Sequence, residues 1–549
     1  MSRTAKGCVV LAAIVAMIAS SIEVGARGRT ADPPVRSGGG IQRSADRAVS
    51  FRGQPRIAGD GYKESAVQCT ASAGAAVDLR LDCDTDTPNN EPDIFVDPED
   101  PLHMIASSND YDQCCDAFYT TFDGGDTWQV GDMSAEGANR TGSDPVTVID
   151  PVTGNAVHSS LNFRFTKDGQ STDGDVVVSI STDGGLTWGK PIEVYDGEGA
   201  DLDKVQVFND KEWITVDADP SSPFYGRMYL TWSRFKARNG EYTESPIWES
   251  HSDDGGKTWS KAQEISGSAS FCTYQEAGPA NRCDEDQGSV PAVGPDGTVY
   301  VAFVNEQDES TWERAKAFDS VYLVVKSSDG GETWSDPIRV TDLEDGGKDY
   351  PKNVDGRQTL SGYQVRVNAR GNIDVGPDGT LYLVFADNRN GSHDVPNPVT
   401  NTDVFLMSSH DGGATWSAPS LVDGSTSDQW FPWLDVNPVD GSLGILYHSR
   451  RTGDPDLYDT ILAQGHPGSF SYTVLNSEPS DPTNSLFFQA NVEGCKKCAV
   501  FHGDYNRVDY GSDGVANCVW TDMSVVLTEF DGDPLPKPRN AQFIFFRRV

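Results

Sequence analysis

From about Glu91 onward, the chain alternates short apolar runs with polar turns. The runs are rich in β-branched and aromatic residues, they are separated by Asp, Gly and Pro, and helical periodicity is nearly absent. One pattern recurs, in which an apolar strand, a turn such as Gly-Pro-Asp-Gly and a second apolar strand follow each other. Its copies are Asp93 to Ser107, Val146 to Phe163, Trp213 to Phe235, Val290 to Val304, Ile373 to Phe385, Phe431 to Tyr447 and Tyr505 to Trp520. These seven units predict an all-β protein.

An eight-residue repeat of the form Ser/Thr-x-Asp-Gly-Gly-x-Thr-Trp accompanies five of the units. The full copies are Thr121 to Trp128, Ser181 to Trp188, Ser252 to Trp259, Ser327 to Trp334 and Ser409 to Trp416, and a degenerate sixth lies at His466 to Phe470. The Asp carboxylate can accept backbone N–H bonds, the glycines permit positive φ, and the Trp can return to the core. A catalytic carboxylate would not occur five times at a turn, so the repeat is interpreted as a folding device.

In each unit a third strand runs into the repeat and a fourth follows its Trp. Four antiparallel strands per unit, repeated radially, predict a β-propeller, which leaves few free sheet edges. Seven blades are favoured, and six are the alternative. The last unit lacks a repeat and ends in Phe543 to Phe546, so its final strand is expected to come from the N-terminal segment. The propeller is assigned to residues 86–549.

The N-terminal region has a different composition. Val9 to Ser20 is apolar, follows Arg3 and Lys6, and is too short to span a bilayer. With the small residues that follow, it predicts a secretory signal over residues 1–26, cleaved after Ala26, and hence a secreted protein. Residues 27–85 show little apolar alternation and are expected to be a flexible leader.

Export makes disulfides the expected state of the cysteines. Cys69 lies close in sequence to Cys83, and Cys272 lies close to Cys283. A further group is Cys495 and Cys498, with Cys518 nearby. The Cys495 and Cys498 pair also has the spacing of metal ligands, which is the alternative.

Charge excludes some partners. The chain has 43 Lys and Arg against 83 Asp and Glu, a formal net charge of −40. Binding to nucleic acid or insertion into a membrane is therefore not expected. Two acidic groups, Asp82 to Asp86 and Asp284 to Asp286, offer oxygen ligands suited to Ca²⁺, although neither has EF-hand spacing. No other cofactor is expected.

The five repeats resemble the Asp boxes, or bacterial neuraminidase repeats, of the sialidase-like propeller superfamily, and the strand pattern extends the similarity over about residues 90–549. The resemblance implies a protein that acts on glycans, with hydrolysis of acidic or sialic-acid-like sugars as the leading expectation. Sialidases of this fold use three arginines, a Tyr nucleophile assisted by Glu, and an Asp acid/base. The family's Arg-Ile-Pro stretch is replaced here by Arg56-Ile57-Ala58, so whether the chain is an enzyme stays open. The alternatives are a non-catalytic propeller that binds carbohydrate or protein, and a polysaccharide lyase using His448 or His502.

Candidate site residues are expected on the face opposite the repeats, after second strands and before first strands. Tyr505, which precedes the seventh inner strand, is the expected nucleophile. Glu306 or Asp387 is its expected base or proton donor. The expected substrate-binding residues are Arg234, Arg389, Arg450, Arg451, Trp430 and Trp433.

These substrate-binding residues have two interpretations. The arginines suit recognition of an oxyanion, and the alternative is an ion pair, as between Arg389 and Asp403 or between Arg451 and Asp459. The tryptophans would stack on sugar rings if they are exposed, and core packing is the alternative.

Overall fold

The computed structural model describes residues 67–70, 78–111, 116–133, 140–165, 171–197, 205–238, 241–273, 275, 277–306, 320–346, 348–353, 357–394, 397–486, 500–530 and 533–549. Within these ranges the chain forms 32 β-strands and one 3₁₀ turn, Pro482–Asn484. No helix in these ranges is long and apolar enough to cross a membrane. The predicted signal peptide, Cys114, Cys115, Cys495 and Cys498 lie outside the described residues.

The strands group into four-stranded antiparallel units. Two short strands come first: β1 (Val67–Thr70) and β2 (Leu79–Arg80). Unit 1 is β3 (Asn89–Val96), β4 (Met104–Asp110), β5 (Asp116–Thr121) and β6 (Thr127–Asp132). Unit 2 is β7 (Arg140–Ile149), β8 (Ala156–Phe165), β9 (Ser171–Ser181) and β10 (Ile192–Tyr195). Unit 3 is β11 (Val205–Val216), β12 (Met228–Arg238) with β13 (Glu241–Glu244) beside it, β14 (Ile247–Ser252) and β15 (Gln263–Glu264).

The second half of the chain continues the same order. Unit 4 is β16 (Asp286–Val293), β17 (Val299–Asn305), β18 (Ser320–Ser327) and β19 (Ile338–Leu343). Unit 5 is β20 (Ile373–Val375), β21 (Leu381–Asp387), β22 (Asp403–Ser409) and β23 (Ser420–Leu421). Unit 6 is β24 (Gln429–Val436), β25 (Leu443–Arg451), β26 (Asp454–His466) and β27 (Ser469–Val474). Unit 7 starts with β28 (Arg507–Tyr510) and β29 (Ala516–Asp522), and after the hairpin of β30 (Val526–Phe530) and β31 (Asp533–Asn540) it continues with β32 (Phe543–Arg548).

The first strands of the units contact one another in a closed order: β3, β7, β11, β16, β20, β24, β28 and β3 again. Aspartate side chains on these strands accept hydrogen bonds from backbone N–H groups of the next first strand. The pairs are Asp93 with Thr147 (2.9 Å), Asp374 with Val436 (2.8 Å), Asp435 with Tyr510 (2.7 Å) and Asp509 with Val96 (2.7 Å). The predicted all-β propeller of four-stranded units is confirmed, and this contact order supports seven units over six.

The ring closes with strands from the N-terminal segment, as expected. Strand β2 pairs with β32, so unit 7 has the order β28, β29, β32, β2, and β1 adds a fifth strand to unit 1 by pairing with β6. The disulfide between Cys69 and Cys83 joins this segment to itself. The sheet therefore includes residues that the sequence assigned to the leader, because strands of two and four residues carry too little alternation to be detected.

Each eight-residue repeat forms the turn between the third and fourth strands of its unit. In the fourth copy, the Ser327 hydroxyl donates to Asp329 (2.7 Å) and accepts from the backbone N–H of Gly331 (2.9 Å). Asp329 in turn accepts from the backbone N–H (2.9 Å) and the hydroxyl (2.5 Å) of Thr333. The two glycines have φ of 75° and 91°, which a residue with a side chain adopts only with strain. These contacts support the interpretation as a folding device.

The repeats share one face of the ring with the turns between first and second strands. Gly124 donates its N–H to Leu102 in the turn between β3 and β4 (2.9 Å), and His103 in the same turn contacts the Gly184 carbonyl (2.9 Å). Arg227, in the turn between β11 and β12, donates to the Gly330 carbonyl (2.6 Å). The opposite face, called the loop face below, therefore carries the connections that follow second and fourth strands.

Candidate functional site

First strands begin on the loop face with an irregularity that turns side chains toward the centre of the ring. The pairing register shifts near the start of β3, β7, β11, β16 and β24, and each of these strands has one residue with positive φ at the shift. These residues are Glu91 (55°), Asp144 (62°), Lys211 (52°), Gly288 (68°) and Phe431 (52°). Bulges re-aim side chains, and strained non-glycine residues cluster at functional sites. The centre of the loop face is therefore the candidate site.

A small cavity, partly open to solvent, lies at this centre. Its wall includes Lys211 from unit 3, Arg370 before unit 5, Trp433 from unit 6, and Asp504 and Tyr505 before unit 7. The cavity thus brings together residues that are almost 300 positions apart in the chain. It combines aromatic, cationic and acidic side chains, the mixture typical of polar-ligand sites.

Aromatic rings form the floor of the cavity. Trp213 of unit 3 lies 4.4 Å from Trp433 of unit 6, across the ring, and the Tyr505 ring packs edge-on against Trp213 at 5.3 Å. The ammonium of Lys211 lies 3.9 Å from the Trp213 ring centre and 4.0 Å from that of Tyr505. Cation–π contact of this kind holds the amine against the floor.

The hydroxyl of Tyr505 has no hydrogen-bond partner among the described residues, although the side chain is only 4% exposed. Burial raises the pKa of Tyr505 well above its ordinary value, and the charges of Asp144 and Glu91 raise it further. The phenol is therefore protonated at neutral pH.

Glu212, beside Lys211, is fully buried, and neither of its carboxyl oxygens has a hydrogen-bond partner in the described part of the chain. Burial raises the pKa of Glu212 well above its ordinary value, and the charge of Asp144 adds to the effect. Burial therefore favours the uncharged form of this carboxyl more than in an exposed glutamate.

Two arginines near the cavity are already in ion pairs. Arg366 reaches both carboxyl oxygens of Asp504 at 2.5 Å, and Arg370 pairs with Glu306 and also donates to Gln287 (2.7 Å). Among the described residues of the cavity wall, Arg370 is the single arginine. Among the described residues, the cavity wall therefore lacks the three arginines that the resemblance to sialidases implies.

Asp387 lies away from the cavity wall and is fully buried. Its carboxylate accepts from Arg389 at 2.8 and 2.7 Å and from the backbone N–H of Glu344 at 3.0 Å. These bonds occupy its oxygens, so Asp387 is placed to organise the loop between units 4 and 5. Arg389 pairs with Asp387 and not with Asp403, which accepts from Asn390 instead (2.6 Å).

The other three candidate arginines are not on the cavity wall and have protein partners. Arg450 pairs with Asp428 (2.8 Å), and Arg451 pairs with Asp459 (2.8 Å), which confirms the ion-pair alternative for Arg451. Arg234 donates to the Tyr195 hydroxyl (3.1 Å). These arginines follow second strands and so belong to the loop face, as expected. They lie away from the cavity wall.

Trp430 is fully buried and does not line the cavity, which agrees with core packing and not with stacking on a sugar ring; the neighbouring Phe431 is 1% exposed. Trp433, 5% exposed, does reach the cavity wall. Trp430 packs with both candidate lyase histidines: it donates to His502 (3.4 Å), and His448 lies 5.6 Å away between ring centres. Trp430 belongs to a different buried cluster from Trp433, which packs with Trp213 and Tyr505.

Burial keeps both histidines neutral. It lowers the pKa of His502 to about 3 and that of His448 well below its ordinary value. His448 also contacts the Asn506 amide (2.9 Å). Neither lines the cavity, so neither histidine is placed there to act as the base of the lyase alternative.

Sequence reasoning missed Lys211, Glu212, Trp213, Arg366 and Arg370. A signal for the first two was present, because the run Asn209-Asp210-Lys211-Glu212 interrupts an otherwise apolar strand. When a strand is expected to be buried, charged residues within it are candidates for a functional role.

Among the described cysteines, the predicted pairs Cys69–Cys83 and Cys272–Cys283 are both formed, and Cys518 is buried and unpaired. The acidic groups expected for Ca²⁺ are largely buried: Asp82, Asp284 and Asp286 are all fully buried, and burial raises the pKa of Asp82 and Asp284 to about 7. Ca²⁺ binding there stays a prediction.

Comparisons with known proteins place the chain at low similarity. No protein-family model matches it, and no curated protein sequence matches it significantly. One similar solved structure is a protein of unknown function from Dyadobacter fermentans, at 12% identity and a TM-score of 0.42, covering 75% of this chain and 96% of that one. Another is the NanB sialidase of Streptococcus pneumoniae, at 9% identity and a TM-score of 0.41, covering 81% and 83%. A third is the GH93 α-L-arabinofuranosidase of Fusarium graminearum, at 12% identity and a TM-score of 0.39, covering 73% and 97%. Similarity at this level carries no argument about the reaction.

Proposed function

We propose that the protein binds a glycan in the cavity of the loop face and hydrolyses a glycosidic bond there, with Tyr505 as the nucleophile. The observation that carries the proposal is the Tyr505 hydroxyl, which lies on the cavity wall, is nearly buried, and has no hydrogen-bond partner among the described residues. A buried polar group without a partner is costly, and a bound ligand would supply one.

The surrounding groups support a sugar as the ligand. Trp433 and Tyr505 present aromatic surface, on which sugar rings pack well. Lys211 and Arg370 on the wall favour an acidic sugar. A neutral phenol suits attack on such a sugar, because a carboxylate nucleophile would be repelled.

In the proposed reaction the Tyr505 oxygen forms a bond to the anomeric carbon as the glycosidic bond breaks. The phenol proton passes to a carboxylate, for which we propose Glu306, and the leaving oxygen takes a proton from a second carboxyl group. Water then attacks the anomeric carbon and gives a proton to that second carboxylate. The bond to Tyr505 breaks as its oxygen recovers the proton from Glu306, which releases the sugar and restores the phenol.

Binding without hydrolysis is the second candidate function. The pairs Arg366–Asp504 and Arg370–Glu306 favour it, because carboxylates and guanidinium groups that neutralise each other are less available for chemistry. In this case the cavity would hold a glycan or glycoconjugate through its aromatic floor.

We place either activity outside the cell. The two disulfides, Cys69–Cys83 and Cys272–Cys283, support an oxidising compartment, as does the predicted signal peptide.

The test is a panel of acidic and neutral oligosaccharides incubated with the full chain, with release of reducing ends as the measurement. Tyr505→Phe is expected to slow release at least about 100-fold. Tyr472→Phe is the matched control, because Tyr472 is 51% exposed on the outer strand β27. An unchanged rate in Tyr505→Phe would remove this residue as nucleophile.

Tryptophan fluorescence separates the two candidates, since Trp433 lines the cavity and Trp213 packs against it. A fluorescence change with a glycan that is never cleaved would favour binding alone. If no glycan of the panel is bound or cleaved, both candidates fail.

A further inference from the structure

Three metal-ligating side chains meet on the loop face between units 4 and 5, outside the cavity wall. Glu344 follows β19, Asp349 lies five residues later, and His393 lies in the connection between β21 and β22. The Nδ1 atom of His393 is 2.5 Å from Oδ1 of Asp349 and 3.9 Å from Oε2 of Glu344. One ligand atom from each residue lies within 4.8 Å of the other two.

Buried polar residues hold the first ligand in place. The backbone N–H of Glu344 donates to Asp387 (3.0 Å), and its carbonyl accepts from the backbone N–H of Asn388 (3.1 Å). Asp387 and Asn388 are both fully buried. The position of Glu344 is therefore set by the interior of unit 5 and not by the surface loop alone.

The other two ligands are held by their own loops. Asp349 accepts from the backbone N–H of Gly346 through the carboxyl oxygen that faces away from His393 (2.9 Å). His393 lies in a loop closed by two backbone hydrogen bonds between Ser392 and Val399 (2.8 and 3.1 Å). Two separate segments, the connection after β19 and the connection between β21 and β22, thus bring one imidazole and two carboxylates close together.

Two carboxylates this close repel each other, and a divalent cation between them removes the repulsion. In a second acidic group, Asp173, Asp175 and Asp196, the guanidinium of Arg140 lies 2.9 Å from Asp173 and 2.6 Å from Asp175. In the Glu344 group, Lys348 pairs with Glu344 at 3.5 Å and His393 is hydrogen-bonded to Asp349 at 2.5 Å, so a bound ion would replace these two contacts.

We propose that Glu344, Asp349 and His393 bind a divalent transition-metal ion of the Zn²⁺ class. A mixed set of imidazole and carboxylate ligands suits such ions, whereas Ca²⁺ selects oxygen ligands alone. The side chains of His393 and Glu344 are 34% and 36% exposed, which leaves the ion open to water. The ion links unit 4 to unit 5.

The test measures Zn²⁺ and Ca²⁺ binding to the full chain by calorimetry, together with the melting temperature. Zn²⁺ is expected to bind at one site and to raise the melting temperature, because an ion bound only by the folded state stabilises it. His393→Ala is expected to weaken Zn²⁺ binding at least about tenfold. His393 is partly exposed, so this variant is expected to fold, which circular dichroism checks.

His410→Ala is the control, since His410 is exposed on the repeat face beside Thr380 (3.0 Å). It should bind Zn²⁺ as the natural chain does. Zn²⁺ binding that is equal in His393→Ala would overturn the proposal, and so would tight Ca²⁺ binding that this substitution leaves unchanged. The outcome does not depend on whether the cavity hydrolyses a glycan.

Discussion

Each eight-residue repeat holds its turn with one hydroxyl and one carboxylate. The hydroxyl accepts from a buried glycine N–H, and the carboxylate accepts from the threonine two residues past the second glycine, in all five copies. Hydrogen bonds from Thr333 and Ser327 lower the pKa of Asp329 to about 2, so this carboxylate stays charged over the working range of pH. The repeat was readable from the sequence because all of its bonds are local.

At the residue scale we predict that Ser327→Ala lowers the free energy of unfolding by about 1–3 kcal/mol. The substitution leaves the buried N–H of Gly331 without its acceptor. Urea unfolding measures the change, and Ser469→Ala, an exposed serine on β27, is the control and should alter stability by less than about 0.5 kcal/mol. Equal stability of the two variants would contradict a structural role for the hydroxyl.

At the scale of elements, long strands could be recognised from the sequence and short strands could not. Strands of six or more residues, such as β18 and β25, carry enough apolar residues to be recognised from the sequence. Strands β1 and β2 do not, because tertiary pairing with β6 and β32 forms them. The register shifts that turn Lys211 toward the cavity were also invisible, since a bulge depends on the partner strand as much as on its own residues.

The disulfide between Cys69 and Cys83 is predicted to hold the N-terminal strands on the ring. Its cysteines are separated by 14 residues, so Cys69→Ser with Cys83→Ser should lower the free energy of unfolding by about 3 kcal/mol. Hydrogen exchange should become faster in β32, which pairs with β2, and stay unchanged in β18 of unit 4. Uniformly faster exchange in both strands would show that the disulfide stabilises the whole molecule and not this closure.

At the scale of the whole molecule, stability depends on a closed ring. Asp509 of unit 7 accepts a hydrogen bond from the backbone N–H of Val96 in unit 1, which joins the last unit to the first. Strand β2, from the N-terminal segment, also pairs with β32 of unit 7. Burial raises the pKa of Asp509 to about 7, and the charge of Arg507 opposes that rise. Closure removes the sheet edges that an open array would expose.

We therefore predict that deletion of residues 543–549 destroys cooperative unfolding. Strand β32 lies between β29 and β2 and also contacts β3, so its loss removes the two outer strands of unit 7 and weakens the contact between unit 7 and unit 1. Proteolysis and calorimetry check this: unit 1 should be cleaved and the single transition should broaden.

Replacement of residues 527–538 by Gly-Gly is the control for this deletion. Those residues belong to the hairpin of β30 and β31, which lies outside the four-stranded unit, and its ends are already bridged by the hydrogen bond from Ala541 to Val525 (2.9 Å). The control should keep one sharp transition. A sharp transition in both variants would contradict the requirement for closure.

By itself the sequence determined the all-β class and the repeated turns, because each depends on residues that are close together in the chain. It showed that Cys69 is close to Cys83 and Cys272 to Cys283, and the structure decided that these cysteines pair. The sequence also placed Tyr505 at the candidate site. Only the tertiary structure decided the partners of Tyr505, because Lys211 and Trp213 come from a unit almost 300 residues away. Only the tertiary structure decided, too, that Asp387 organises a loop and that Glu344, Asp349 and His393 meet. Ring closure, and not sequence spacing, sets which first strands and loops face one another.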